Sequence, residues 1–217
     1  MIIWNQIDTV LLDMDGTLLD LHFDNYFWTE YLPEKWGEVN GLDPASAKER
    51  LMLQLHSKVG TLSWYCLDFW SEQLGINILM LKADLRHLIR ERPHTLEFLQ
   101  FLGKIGKQTA LVTNAHHDLI DMKFECTEIG RYFEHVFCAH HLGYPKEDVR
   151  FWDELQTRFP FAPSRTLLID DNLSVLRSAR DYGVRHLLTI GQPDSRYPHR
   201  EDVGEFTAIK SFADVSE

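Results

Sequence analysis

The sequence predicts a Rossmann-like α/β fold, a doubly wound parallel sheet interrupted after its first strand by an all-helical insertion. Three observations carry this expectation. Short apolar runs rich in leucine and β-branched residues recur at 7–13, 108–113, 136–139, 166–170 and 186–190, as strands buried on both faces require. Amphipathic stretches of about ten residues separate the later runs, which specifies right-handed βαβ crossovers. Between Asp20 and Arg92 the alternation stops, and that stretch holds every tryptophan except Trp4 and Trp152.

Element by element, the run 7–13 (IDTVLLD) ends at a turn containing Gly16. The stretch 20–92 reads as helical: Asp43 precedes Pro44 at a first helical position, and Ala47, Leu51 and Leu55 recur along one face. A helix over 94–106 then leads to the strand 108–113, a helix over 119–126 to the strand 136–139, and a helix over 147–159 to the strand 166–170. A helix over 173–182, stopped by Gly183, precedes the strand 186–190. The segment 191–204, rich in Pro, Asp, His and Arg, reads as a surface loop before a last short strand and helix. The expected domains are a core of 1–19 and 93–217 and a helical cap of 20–92.

With 217 residues, 44% hydrophobic and 25% charged, the chain can bury a core and one smaller insertion, which excludes disordered and fibrous classes. Lys and Arg number 22 against 33 Asp and Glu, a net charge of −11. That field repels nucleic-acid polymers and anionic membranes, so neither is an expected partner. An anionic ligand would need a local cation to offset it. No apolar run reaches membrane-spanning length, and Cys66, Cys126 and Cys138 are odd in number and widely spaced. The expectation is a cytoplasmic protein with incidental thiols. Nothing in the pattern specifies an oligomeric state.

In a doubly wound sheet, ligands bind beyond the carboxyl ends of the strands. The first strand ends in Asp13-Met14-Asp15-Gly16-Thr17, the second in Thr113-Asn114 and the fourth in Asp170-Asp171, while Lys146 follows the third. Singly, these are an ordinary turn, a loop start, a helix cap and a solvated lysine. Together they bring carboxylates, a hydroxyl, an amide and an ammonium to one edge. Asp13, Asp15 and Asp170 or Asp171 make a hard oxygen cage suited to Mg²⁺. Lys146, the Thr113 hydroxyl, Asn114 and loop amides can hold the other oxygens of a phosphoryl group. The pairs His116-His117 and His140-His141 invite a transition-metal reading. Adjacent side chains diverge, however, and no third ligand is spaced to complete a site, so surface or loop roles are expected.

These motifs in this order resemble the haloacid dehalogenase-like phosphatase superfamily, and the long first gap resembles its helical cap type. The resemblance implies Asp13 as nucleophile forming an aspartyl-phosphate, and Asp15 as the acid that protonates the leaving alcohol and then activates water. It implies Thr113 and Lys146 as phosphoryl ligands. Mg²⁺ would sit on Asp13, the Asp15 carbonyl and the acidic pair, with Asp171 direct and Asp170 direct or through water. An acid at Asp15 disfavours the dehalogenase branch.

The stretches 24–28, 64–75, 113–116 and 143–148 are similar to the bacterial GMP/IMP nucleotidases of that superfamily, which implies a purine nucleoside 5′-monophosphate as substrate. Another small phosphate ester, such as phosphoglycolate or a sugar phosphate, is the alternative. A phosphomutase and a non-catalytic phosphoacceptor module are more distant ones. Most cap aromatics are expected in the core, with Asn25 and Tyr26 as the expected cap contacts to substrate.

Overall fold

β1 (Thr9–Leu12) is fully buried because strands flank both its edges and helices cover both its faces. The computed structural model describes residues 2–216. Among them six parallel strands follow the order β3-β2-β1-β4-β5-β6, with β2 Gln108–Thr113, β3 Val136–Cys138, β4 Thr166–Ile169, β5 His186–Ile190 and β6 Thr207–Ile209. Val10 pairs with Thr109 on one side and Leu167 on the other. Alternation sends Val10 and Leu12 to one core and Leu11 to the other, where it meets Phe151, Trp152 and Leu176. The chain runs outward from β1 to β3 and then returns to β4, so the order reverses beside β1. A crevice at the carboxyl ends of β1, β2 and β4 follows from this reversal.

The helices between β1 and the first crossover helix form the insertion. α1 (His22–Tyr26) passes through a π-helical turn, Phe27–Tyr31, into α2 (Leu32–Asn40). Pro33, which has no N–H for the helical ladder, stands just past that widened turn. α3 (Pro44–His56) starts as its sequence predicts: the Asp43 carboxylate accepts the Ser46 N–H, and Ala47, Leu51 and Leu55 are buried. α4 (Leu67–Leu74) and α5 (Ile78–Ala83) complete the insertion, capped by Cys66 and Asn77. Phe23, Phe27, Leu51 and Trp70 share one apolar cluster with Val10, Leu111 and Leu167, so the insertion packs continuously onto one side of the core.

The remaining helices are α6 (Thr95–Lys104), α7 (His117–Cys126), α8 (Ala139–Leu142), α9 (Val149–Arg158) and α10 (Leu173–Tyr182). Several ends differ from expectation. Strand 136–139 stops at Cys138 because α8 starts at Ala139. α9 begins at Val149 because the Asp148 side chain accepts the Arg150 N–H and caps it there. The predicted last helix is a single 3₁₀ turn, Phe212–Val215, held by a Ser211/Asp214 capping box. Among the described residues, no helix is long and apolar enough to cross a membrane.

Candidate active site

Asp13 leaves the end of β1 with its N–H donating to the Ile169 carbonyl, which sets the Asp13 and Asp170 carboxylates side by side on adjacent strands. The next residues turn at once: Leu18 and Leu19 N–H both donate to the Met14 carbonyl, and Gly16 N–H donates to Leu19. Gly16 is required here twice over. Its φ is +78°, and a Cβ on it would stand 2.7 Å from Asp171 Cγ. The turn is thus folded against the acidic pair after β4, and Thr17 Oγ1 accepts the Asp171 N–H.

Lys146 closes this cluster from the loop after α8. Its buried Nζ donates to Asp13 Oδ1 and Asp170 Oδ2, both at 2.6 Å, and to the Val112 carbonyl at 3.1 Å. Carboxylate oxygens of Asp13, Asp170 and Asp171 lie within 4.8 Å of one another. Burial pushes the Asp13 carboxyl up to about 7, with Asp170 and Asp15 adding to the rise and Lys146 opposing it. Burial likewise pushes Asp170 up to about 6 and Asp171 to about 7, the latter with help from Asp13. One ammonium cannot neutralise two buried carboxylates and a third that is half-buried. Hard oxygen donors with excess negative charge fit a divalent cation such as Mg²⁺.

The structure brings Asp13, Thr113, Asn114, Lys146, Asp170 and Asp171 to one cavity of about 620 Å³, within the ~300–1,000 Å³ range of small-molecule sites. Thr113 Oγ1 accepts the Ala115 N–H, which leaves its proton free to donate. Asn114 also holds a loop in place. Its side-chain carbonyl accepts the Lys146 N–H and its amide donates to Glu147 Oε2, so it anchors the Lys146 loop. Asp15 also lines the cavity, but its carboxylate turns away from the acidic cluster. Oδ1 pairs with Lys123 Nζ, which bonds Asp24 as well, and Asp24 in turn pairs with Lys82. Burial still holds the Asp15 carboxyl above its usual range, against Lys123. Asp24 goes the other way: burial would raise it, but Lys123 and Lys82 together bring it well below the usual carboxylate range.

The insertion supplies the opposite wall through Leu21, Asn25, Trp28, Trp64 and Leu67. Asn25 lines the cavity and is fixed by donating to Asp194 Oδ2 at 2.8 Å. Tyr26 does not line it. One residue further around α1, it borders a separate shallow depression with His22 and Tyr31. Tyr65 ties insertion to core: its hydroxyl donates to Glu147 Oε1 at 2.6 Å, and Asn172 donates to the same oxygen. Arg200, from a segment expected to be only surface loop, reaches the Asp171 carbonyl.

Sequence reasoning missed Lys123, Asp24, Lys82, Glu147 and Arg200. Only Asp24 and Glu147, beside residues already singled out, offered a sequence signal. Of the histidine pairs, His117 and His141 are exposed as expected, while His116 and His140 are not surface residues. His116 is buried and its ring centroid lies 4.9 Å from that of His140. Because β2 and β3 are neighbours, residues following their ends meet in space.

The model of haloacid dehalogenase-like hydrolases matches residues 7–183. The chain is 44% identical over 194 residues to the GMP/IMP nucleotidase YrfG of Escherichia coli (strain K12), covering 89% of this chain and 87% of that protein. It is 24% identical to the pyrophosphatase PpaX of Bacillus velezensis, over 94% of this chain and 98% of that one. A haloacid dehalogenase-type phosphatase from Thermococcus onnurineus superposes with a TM-score of 0.79 at 19% identity, covering 96% of each chain. With the parallel sheet, the acidic strand ends and the helical insertion after β1 all in place, the chain belongs to the haloacid dehalogenase-like hydrolases.

Proposed function

We propose that the protein is a Mg²⁺-dependent phosphomonoesterase that hydrolyses purine nucleoside 5′-monophosphates, GMP and IMP, through an aspartyl-phosphate on Asp13. The observation that carries this reading is the shared contact of Asp13 and Asp170 with Lys146, at the floor of a cavity whose far wall holds Trp28 and Trp64. The relative named as a GMP/IMP nucleotidase, at 44% identity, supports the choice of base. Residues 20–92 act in this reading as a cap over a core of 1–19 and 93–217.

Asp13, Asp170, Asp171 and the Asp15 carbonyl would hold Mg²⁺, which when bound neutralises the carboxylates and draws charge from the phosphoryl oxygens. An Asp13 oxygen attacks phosphorus and the P–O5′ bond breaks. Asp15, whose carboxyl burial raises above its usual range against the pull of Lys123, gives a proton to the departing O5′. Water then attacks phosphorus, Asp15 takes up the proton, and the Asp13–phosphorus bond breaks to release inorganic phosphate. Lys146 and the Thr113 hydroxyl stabilise charge on the transferring group. The purine stacks on the tryptophan wall. A hydrogen-bonding pair must then read the 6-oxo group and N1–H, because stacking alone tolerates any base.

The experiment measures kcat/KM for GMP, IMP, AMP, CMP and phosphoglycolate with saturating Mg²⁺. GMP and IMP are expected above the others. Equality of AMP or phosphoglycolate with GMP would overturn the base assignment, and absence of phosphate release from every ester would overturn the phosphatase reading.

A further inference from the structure

Cys66 precedes α4 in the insertion, and its Sγ accepts the Phe69 N–H. His116 precedes α7 and His140 lies in α8, both leaving the carboxyl edge of the sheet. These three residues, distant in sequence, each offer a ligand atom within 4.8 Å of the others. His116 is only 2% exposed, yet its Nδ1 has no hydrogen-bond partner. Both ring nitrogens of His140 are buried and also unpartnered. Buried polar atoms are ordinarily satisfied, and three orphaned imidazole nitrogens beside one thiol point to an absent ligand.

We propose that Cys66, His116 and His140 form a second metal site, for a borderline transition ion of the Zn²⁺ class, that fastens the helical insertion to the sheet beside the catalytic cavity. Two imidazoles and a thiolate select such an ion over Mg²⁺, which the oxygen cluster of Asp13, Asp170 and Asp171 suits instead. Tetrahedral bonds of about 2.1–2.3 Å place ligand atoms roughly 3.4–3.8 Å apart, inside the 4.8 Å limit that these three atoms already meet. A water completes the fourth position. On binding, the Cys66 thiol releases its proton to solvent. His140 has none to release, since burial lowers its pKa to about 4. Tyr65 and Leu67, which flank Cys66, line the cavity, so occupation fixes that wall against the core.

The test uses the full chain, reduced, in saturating Mg²⁺, with Co²⁺ as a spectroscopic probe and Zn²⁺ as its competitor. The expected result is one Co²⁺ per chain with a thiolate-to-cobalt charge-transfer band that Zn²⁺ removes. Cys66→Ser should abolish the band, and His140→Gln should weaken Co²⁺ binding at least about tenfold. Cys126→Ser, which changes an exposed thiol, should leave the band intact. Zn²⁺ should raise the Tm of the wild type and not that of Cys66→Ser. Absence of the band in folded wild type, its persistence in Cys66→Ser, or Co²⁺ bound without thiolate through His116, His117 and Asp118 would overturn the proposal. These readouts do not depend on the phosphatase reading.

Discussion

Lys123 Nζ, 1% exposed, lies 2.5 Å from Asp15 Oδ1, so the carboxyl proposed as the general acid is held by an ammonium from the buried side of α7. The same ammonium bonds Asp24 at 2.7 Å, and Lys82 bonds Asp24 in turn among the rings of Phe23, Phe27 and Trp28. Insertion and core therefore meet through a chain of four alternating charges.

Lys123 is a positioning residue for Asp15. Its positive charge lowers the Asp15 pKa against burial, so Lys123→Met should move the alkaline limb of the kcat/KM profile to higher pH. Stability should fall by about 3–5 kcal/mol, because two buried carboxylates lose a partner. Lys123→Arg keeps the charge and should restore the limb. A pH profile unchanged in a folded Lys123→Met protein would remove Lys123 from this role.

Asp13→Asn is expected to lower phosphate release at least ~10³-fold while leaving the fold intact. The amide keeps the shape and removes one of three mutually repelling carboxylates, so the metal-free Tm should hold or rise. Near-normal turnover in a folded variant would exclude the covalent route.

Asp15→Asn should slow alkyl phosphate esters far more than an activated aryl ester, whose leaving group needs little protonation. Burst kinetics on both substrates separate this from slower breakdown of the phosphorylated enzyme. Equal losses in the first step would leave Asp15 no acid role.

Mg²⁺ stabilisation should grow with pH. The folded pKa values of Asp13, Asp170 and Asp171, about 7, 6 and 7, all lie above the ordinary 3.8. Between those limits the folded chain keeps protons that the unfolded chain has lost. Their contribution is therefore fully present below about pH 3.8 and is lost as pH rises through the folded values. Mg²⁺ competes with the same protons, so its increment in Tm should be small near pH 5 and larger above about pH 7. Calorimetry with and without Mg²⁺, or with EDTA, checks this; an increment larger in acid would contradict it.

Tyr65→Phe removes the 2.6 Å bond to Glu147 that joins insertion to core. Glu147 keeps its bonds from Asn114 and Asn172, so the expected loss is roughly 1–3 kcal/mol, read by chemical denaturation. A change within experimental error would show that the contact is not retained in solution.

The order of strands and helices, and with it the convergence of Asp13, Thr113, Lys146, Asp170 and Asp171, was legible in the sequence alone. Parallel strands announce themselves as apolar runs, and the rule that binding occurs at their carboxyl ends turns four distant segments into one edge. What occupies the rest of that edge depended on side-chain direction and on packing between segments with no sequence relationship. Lys123 reads as an ordinary residue of an amphipathic helix until α7 packs it against Asp15 and Asp24. Asn25 and Tyr26 are adjacent in sequence, and the 100° step of a helix alone separates them into cavity wall and outer surface. Cys66, His116 and His140 have no spacing that marks a site, because it takes the neighbouring of β2 and β3 and the docking of the helical insertion to bring them together.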